Sequence, residues 1–168
     1  ISMYTDIKAY GDTFRVYNLH LESIRFKRED YKAIKELAEN DTLVDSESPR
    51  RIIEKMRRAF IRRARQTDVI ARHIALCPHP VIVCGDFNDT PYSYSYHQIS
   101  KGLKDAFRTA GSGLGTTYAG LIPMLRIDCI LYNPAYFDAV YFHTIRKKLS
   151  DHYPVNAILR LKNVKQTH

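Results

Sequence analysis

The sequence of 168 residues lacks several features that would assign it to a specialised class of protein. No apolar run approaches the roughly 20 residues that a membrane-spanning helix needs, so we expect a soluble domain without a membrane span. The chain holds only 7 Gly and 7 Pro, and 45% of its side chains are apolar, which excludes a disordered chain. Its three cysteines form no CxxC motif, which argues against a structural zinc site or a dithiol redox centre.

The start of the chain carries no recognisable targeting signal. It opens on Ile1 in place of Met, and no basic segment followed by an apolar stretch, as in a secretory signal peptide, comes after it. We therefore expect further sequence upstream, and the localisation of the whole protein stays open.

The net charge of +8 comes almost entirely from one segment. Between Pro49 and Ala75, nine basic residues stand against two acidic ones, a local balance of +7 that leaves +1 for the rest. Apolar residues recur at three- and four-residue steps from Ile52 to Ile74, which predicts an amphipathic helix beginning at Ser48. Such a helix is either a solvated outer face or a surface that binds nucleic acid or an anionic membrane; the first is the simpler interpretation.

The remaining pattern predicts a single layered α/β (α+β) domain over residues 1–168. Two-residue alternation around a turn predicts a β-hairpin from residue 2 to residue 21. Later strands are predicted at 81–84, 125–132, 138–147 and 154–162, with helices at 29–39 and 93–100 and a helix or turn at 103–110. Helical crossovers followed mostly by strands are typical of such a layered fold.

Four polar clusters each stand at the end of an apolar strand. They are Asn18-Leu19-His20-Leu21, Gly85-Asp86-Phe87-Asn88, Arg126-Ile127-Asp128 and Ser150-Asp151-His152. Taken singly, each is most simply a turn or a cap, but four together favour one site. Because Asp86 and Asn88 are two residues apart, they point the same way in an extended chain. Carboxylates, an amide and histidines suit a hard divalent cation and a phosphate, and do not suit a thiolate-bound metal.

These clusters resemble the endonuclease/exonuclease/phosphatase superfamily, which has the DNase I-like fold. The matching motifs run in family order along the chain: NLHLES at 18–23, VIVCGDFNDTP at 81–91, RIDCILY at 126–132 and SDHYPV at 150–155. The resemblance implies a four-layer α-β-β-α sandwich and a phosphoesterase that depends on Mg²⁺ or Mn²⁺.

The resemblance implies a phosphate-ester substrate, with a phosphodiester such as nucleic acid as the leading hypothesis. A phospholipid or an inositol or sugar phosphate is the alternative within the same chemistry. A hypothesis of another class is a non-catalytic module that binds nucleic acid or a membrane surface through the basic helix at 49–75.

The resemblance also implies roles for the carboxylates and the amide. Asp86 would orient or activate the attacking water and serve as a metal ligand, and Asn88 would steady that water or the phosphate. Asp151 would be the other metal ligand.

For the histidines, the resemblance implies contacts with the phosphate. His152 would act as a base or as a transition-state stabiliser, with Asp128 fixing its tautomer, and His20 would add a further phosphate contact. Three more residues are predicted to contact the substrate: Asn18, Tyr118 and Arg126.

One departure from the family concerns an earlier metal ligand. Members of the family are longer, and their first half supplies an Asn and a metal-binding Glu; Glu22 and Glu29 do not fit that Glu because they follow the His20 motif. The chain thus resembles the C-terminal part of a family domain, with one nearly complete sheet and a strand pair of the other. We expect residues 1–168 alone to be inactive. We also expect the 2–21 hairpin to leave an unpaired edge, with either self-association through the hairpin or disorder around it.

Overall fold

The computed structural model of the chain describes residues 1–9, 11–39, 47–120, 122 and 124–162. Its elements are β1 (Ser2–Ala9), β2 (Asp12–His20), α1 (Arg28–Glu39), α2 (Glu47–Ala75), β3 (Val81–Asp86), α3 (Tyr94–Ile99), β4 (Lys104–Asp105), α4 (Ala106–Ala110), β5 (Asp128–Tyr132), β6 (Phe137–Thr144) and β7 (Val155–Leu161). Tyr10, in the predicted hairpin turn, lies outside the described residues. In the described part of the chain, no helix is long and apolar enough to cross a bilayer.

Five strands form the main sheet, in the order β1-β2-β3-β5-β4. β1 and β2 are an antiparallel hairpin, β2 and β3 run parallel, and β3 and β5 run antiparallel. The segment that joins the parallel pair contains α1 and α2, since parallel neighbours need a crossover connection. The carboxyl ends of β2 and β3 and the amino end of β5 consequently meet at one edge of the sheet.

Helices cover one face of the main sheet. Tyr17 and Leu19 of β2 are buried there, in the two-residue alternation that a half-buried strand requires. They belong to a core with Val83 of β3, Leu131 of β5 and Ile70 of α2. Burying each such aliphatic side chain contributes about 1.5–3 kcal/mol, so this core fixes α2 against the sheet.

The other face of the main sheet carries a small second sheet made of β6 and β7. Phe14 of β2 meets Phe137 of β6 edge-to-face, with 5.5 Å between the ring centroids. One larger sheet with a strand pair of the other is the arrangement that the resemblance implied. The outer side of the small sheet exposes Tyr141 and Ile158, so the described residues do not form the outer helical layer of the expected four-layer sandwich.

Element boundaries differ from the sequence prediction at two informative places. The strand predicted at 125–132 begins only at Asp128, because the carbonyl oxygen of Leu125 accepts the N–H groups of Thr117 and Tyr118 in a loop. The helix-or-turn segment at 103–110 divides into β4 and α4, because the Asp105 side chain caps α4.

Candidate active site

The main sheet places three polar side chains in a row at one edge. Its register pairs His20 of β2 with Asp86 of β3, and Asp86 with Asp128 of β5. The Nε2 atom of His20 lies 3.8 Å from the Oδ2 atom of Asp86. Strand pairing therefore brings together residues that are far apart in the chain.

Gly85 permits the close approach of β2 and β3 beside this row. A Cβ atom at Gly85 would lie 2.0 Å from the carbonyl oxygen of Leu19, and the φ angle of Gly85 is +134°. Any side chain there would clash with the main chain of β2, so the position requires glycine.

His152 reaches the same edge from the segment before β7. Its Nδ1 atom lies 2.8 Å from Oδ2 of Asp128, and its Nε2 atom lies 4.0 Å from Oδ2 of Asp86. An ionised carboxylate can only accept, so Nδ1 carries the hydrogen and donates it to Asp128. The predicted contact between Asp128 and His152 is confirmed, and it leaves Nε2 facing Asp86.

Thr117 holds both members of the Asp128–His152 pair in place. Its buried hydroxyl accepts the N–H groups of Ile127 and Asp128, each at 3.0 Å. Its carbonyl oxygen accepts the N–H of Tyr153 at 2.7 Å. The sequence did not indicate this role, because a single threonine in a loop forms no motif.

Asn88 fixes the orientation of Asp86. Its main-chain N–H donates to Oδ1 of Asp86 at 2.7 Å, and its side-chain Nδ2 donates to Oδ2 of Asp86 at 2.8 Å and to the carbonyl oxygen of Leu21 at 3.0 Å. Both amide hydrogens are therefore used. Only the side-chain carbonyl oxygen of Asn88 is left for the predicted contact with the water.

The carboxylates and the imidazole influence one another. Burial raises the pKa of Asp86 above its usual range, and the charge of Asp128 adds to this although the Asn88 N–H opposes it. Burial by itself lowers the pKa of His152, but the hydrogen bond to Asp128 and the nearby carboxylates, including Asp151, raise it overall. The site thus combines carboxylates with an imidazole whose pKa lies above its usual value.

The donor set fits a hard divalent cation. Candidate ligand atoms of Asp86, Asp128 and His152 all lie within 4.8 Å of one another. Asp151, the other predicted ligand, does not belong to this group in the described part of the chain; it is exposed and lines a cleft together with Asn88 and His152. Carboxylate oxygens are the ligands that Mg²⁺ and Mn²⁺ prefer.

A cleft of about 220 Å³ opens beside these residues and includes Asn88, Asp151 and His152 in its lining. Its apolar and aromatic lining is Ile24, Phe26, Tyr31, Tyr118, Ile122, Leu125 and Ile127. The ring of Tyr118 packs edge-on against His152 at 5.7 Å between centroids, and its hydroxyl lies 3.3 Å from that of Tyr31. Burial, with the Tyr31 hydrogen bond, raises the pKa of Tyr118 to about 12, so this hydroxyl stays protonated.

The two other predicted substrate contacts lie outside the cleft. Asn18 is exposed, on the face of β2 that His20 shares. Arg126 is buried, with Nη1 2.7 Å from Oδ2 of Asp105 and its guanidinium 4.9 Å from the centre of the Phe107 ring. The prediction for Arg126 is therefore corrected: its charge is committed to an internal ion pair and is not available to a substrate.

The basic segment of α2 is paired largely with acidic residues of its own domain. Six of its nine basic residues form ion pairs within the described chain: Arg51 and Lys55 with Asp30, Arg57 and Arg58 with Glu54, Arg62 with Glu22, and Arg63 with Asp89. This pairing favours the interpretation of α2 as an outer layer of the domain over that of a dedicated binding surface.

The sequence profile of the endonuclease/exonuclease/phosphatase family matches residues 5–152. The chain belongs to this family. A comparison with curated proteins finds no match. The solved structures that resemble it show the DNase I-like α/β fold, and the chain spans little more than half the length of those described next.

Three solved structures illustrate the likeness in fold. A family protein from Bacteroides vulgatus is 23% identical with a TM-score of 0.60, and the match covers 96% of this chain and 55% of that one. The mannosyl-6-phosphatase of Bacteroides thetaiotaomicron is 18% identical with a TM-score of 0.62, and the match covers 95% of this chain and 56% of that one. The human Nocturnin catalytic domain, solved with a sulfate anion, is 16% identical with a TM-score of 0.59, and the match covers 96% of this chain and 53% of that one.

Each family motif contributes a side chain to the sheet edge, but the sequence did not indicate the residues that hold the motifs in place. Arg63 is the clearest example, since it lies on the buried stripe of α2 between Ala59 and Thr67. A charged residue at a buried position of a helix is the signal that could have identified it.

Proposed function

We propose that this chain carries catalytic residues of a divalent-metal-dependent phosphoesterase that hydrolyses a phosphate ester by attack of water. The observation that supports this proposal is the arrangement of Asp128, His152 and Asp86. A carboxylate at 2.8 Å orients the imidazole, whose other nitrogen faces a second carboxylate at 4.0 Å. Hydrolysis of a phosphate ester needs such groups to position water and to donate hydrogen bonds to developing negative charge.

In this proposal Asp86 orients the water. Asn88 donates hydrogen bonds to both oxygens of Asp86 and so keeps the carboxylate in a fixed orientation. A Mg²⁺ or Mn²⁺ held by Asp86 and Asp151 would, when bound, supply positive charge that stabilises the transition state.

The two histidines would bind the phosphate. The pKa of His152 is raised, so the imidazolium form, whose Nε2 can donate to a phosphate oxygen, persists to higher pH than in an ordinary histidine. The Nε2 atom of His20 also lies close to Asp86, at 3.8 Å, so both rings offer donors to one small space. Donors fixed in advance around developing charge are the usual source of transition-state stabilisation.

The cleft beside Asn88, Asp151 and His152 would accommodate the organic part of the ester. Its mixture of aromatic, aliphatic and polar lining suits an organic group of modest size. A phosphodiester such as nucleic acid remains the leading hypothesis. A sugar or inositol phosphate or a phospholipid is the alternative, and one structural neighbour is by its name a mannosyl-6-phosphatase.

A substrate panel tests this function with the full-length protein and Mg²⁺ or Mn²⁺. The panel holds duplex DNA, RNA, bis(p-nitrophenyl) phosphate, sphingomyelin and inositol phosphates. We expect hydrolysis of at least one substrate, abolished by EDTA and reduced about 10²–10⁴-fold by His152→Ala. His143→Ala is the matched control, because His143 is exposed on β6, and it should leave the rate unchanged. No hydrolysis of any substrate, or hydrolysis insensitive to EDTA, would contradict the proposal.

The activity of residues 1–168 alone is a separate prediction. A cation held by only Asp86 and Asp151 keeps most of its waters and binds weakly, so we expect no turnover by these residues alone. The test compares their rate on bis(p-nitrophenyl) phosphate with that of the protein extended upstream. Equal rates would contradict this expectation without affecting the proposed chemistry.

A further inference from the structure

Arg63 is a cation at a position where the pattern of α2 calls for an apolar residue. Its side chain is 1% exposed, and its neighbours on the stripe, Ala59 and Thr67, are 4% and 0% exposed. Burying a charge is unfavourable unless the charge is paired with good geometry. The partners of Arg63 therefore indicate why a cation stands there.

Those partners belong to the loops after β2 and β3. The Nε atom of Arg63 donates to the carbonyl oxygen of Glu22 at 2.9 Å, and its Nη1 donates to Oδ2 of Asp89 at 2.6 Å. Glu22 follows His20 by two residues, and Asp89 directly follows Asn88. One guanidinium thus contacts the loop that follows His20 and the loop that contains Asn88.

Gln66 reinforces the contact to the first loop. Its Oε1 atom accepts the N–H of Glu22 at 2.8 Å. Both the N–H and the carbonyl oxygen of Glu22 are therefore bonded to side chains of α2. The planar guanidinium is suited to this task, because it donates in two directions with fixed geometry.

The second loop contains a residue in an uncommon conformation. Asn88 has a φ angle of 49°, in the left-handed region. Such conformations persist where surrounding contacts over-determine them. The ion pair of Arg63 with the adjacent Asp89 supplies one of these contacts, and the bond from Asn88 to the Leu21 carbonyl oxygen supplies another.

We propose that Arg63 and Gln66, here called the α2 latch, position the loop that follows His20 and the loop that contains Asn88 for the reaction. The inference rests on the proposed function. The latch residues act through Glu22 and Asp89, so they are positioning residues and not catalytic ones. A fixed second layer of this kind matters because a displacement of about 1 Å at reacting groups costs about 10²-fold in rate.

The test compares two substitutions at Arg63 in the full-length protein, at a temperature well below the unfolding midpoint. Arg63→Met should lower kcat about 10–100-fold with little change in KM, since the displaced groups act mainly in the transition state. Arg63→Lys should recover part of kcat, because one ammonium can reach one of the two acceptors. Arg62→Ala is the matched control: Arg62 is exposed and, among the described residues, pairs with the Glu22 carboxylate at 3.4 Å and not with the main chain of Glu22, so its loss should leave kcat unchanged.

A second measurement needs no turnover. Amide hydrogen exchange at residues 21–24 and 87–90 should be faster in Arg63→Met than in Arg62→Ala. If the wild-type protein hydrolyses nothing, the proposed function fails, while the exchange rates still test the latch. Where Arg63→Met does not fold, Gln66→Leu removes one bond of the latch without removing the buried charge, and the same loss of protection at residues 21–24 is expected.

Two results would overturn the inference. One is an unchanged kcat or unchanged exchange in folded Arg63→Met. The other is that Arg63→Lys and Arg63→Met lower kcat by the same factor, and that the loss of kcat is proportional to the fall in the unfolding midpoint. That is the result expected of a purely structural residue.

Discussion

The Nδ1 atom of His152 lies 2.8 Å from the Oδ2 atom of Asp128. Asp128 opens β5 in the main sheet, whereas His152 belongs to the segment before β7 in the other sheet. The contact therefore joins the two sheets at the site and sets which nitrogen of the ring faces Asp86. The orientation of His152 depends on how the sheets pack as well as on local sequence.

Replacing Asp128 by Asn tests this orientation. Asp128→Asn should lower kcat about 10–100-fold, the usual effect of losing the partner that orients a functional imidazole. Asp128 raises the pKa of His152 against the effect of burial, so the pKa of His152 should fall in the variant. NMR titration of His152 in the metal-free protein measures this. Asp138→Asn, at the exposed Lys162 pair, is the control, and an unchanged pKa of His152 in Asp128→Asn would refute the prediction.

Replacing Asp151 tests the metal assignment. Asp151→Asn removes one of two candidate oxygen ligands, so the affinity for Mn²⁺ should fall about 10-fold or more. Electron paramagnetic resonance of free Mn²⁺ measures this directly, without turnover. Asp12→Asn, in the hairpin, should bind Mn²⁺ like the wild type; equal affinity in Asp151→Asn would remove Asp151 from the ligand set.

The buried Asp30 predicts a dependence of stability on pH. Hydrogen bonding to Lys55 lowers the pKa of Asp30 below its usual range, more than burial raises it. A carboxyl with a depressed folded-state pKa stabilises the fold above its unfolded value of about 3.9, and this contribution is lost as the pH falls through the folded-state pKa. Asp30→Asn should therefore lower the free energy of unfolding at pH 7 by about 1–3 kcal/mol, with the difference shrinking in acid.

Urea unfolding at pH 7 and at acid pH measures that effect. Glu29→Gln is the matched control, because the Glu29 pair with Lys27 is exposed and 3.9 Å long. It should change the free energy of unfolding by no more than about 0.5 kcal/mol. If Asp30→Asn lowers the free energy of unfolding by the same amount at both pH values, the charge of Asp30 contributes nothing to stability.

For the basic segment of α2 we expect a weak and salt-sensitive interaction with DNA. Counterion release makes such binding fall steeply with salt, and most of the basic residues already pair with acidic ones. We expect little binding at physiological salt, and Arg57→Gln with Arg65→Gln should reduce binding at low salt. Fluorescence anisotropy across salt concentrations measures the affinity for DNA. Binding that survives high salt would contradict the prediction that the interaction is electrostatic.

The first hairpin predicts self-association of residues 1–168. β1 stands at one edge of the main sheet, and it exposes Met3, Tyr4 and Ile7. An exposed apolar edge favours pairing with another copy, and lysine on the edge opposes it. Ile7→Lys should therefore shift sedimentation toward the monomer, whereas Leu114→Lys, in a loop, should not. A wild-type chain that is monomeric at all concentrations would refute the prediction.

Local pattern determined the elements that carry the site. The period of 2 in β2, the apolar run before Asp86 and the amphipathic stripe of α2 each follow from short-range rules of burial. The four motifs, read together, indicated the family and the residues at the sheet edge. They could do so because the chemistry of phosphate and divalent cations restricts which side chains are suitable.

Tertiary structure alone decided which polar residues serve the site and which serve the core. Arg126 stands in a family motif yet forms a buried ion pair with Asp105. Arg63 stands in a helix whose sequence predicts a solvated outer face, yet it contacts the loops after β2 and β3. Sequence pattern cannot separate these cases, because the partner of a buried charge comes from a distant segment. Whether a charge is buried, and beside what, is fixed only when the sheets and helices pack.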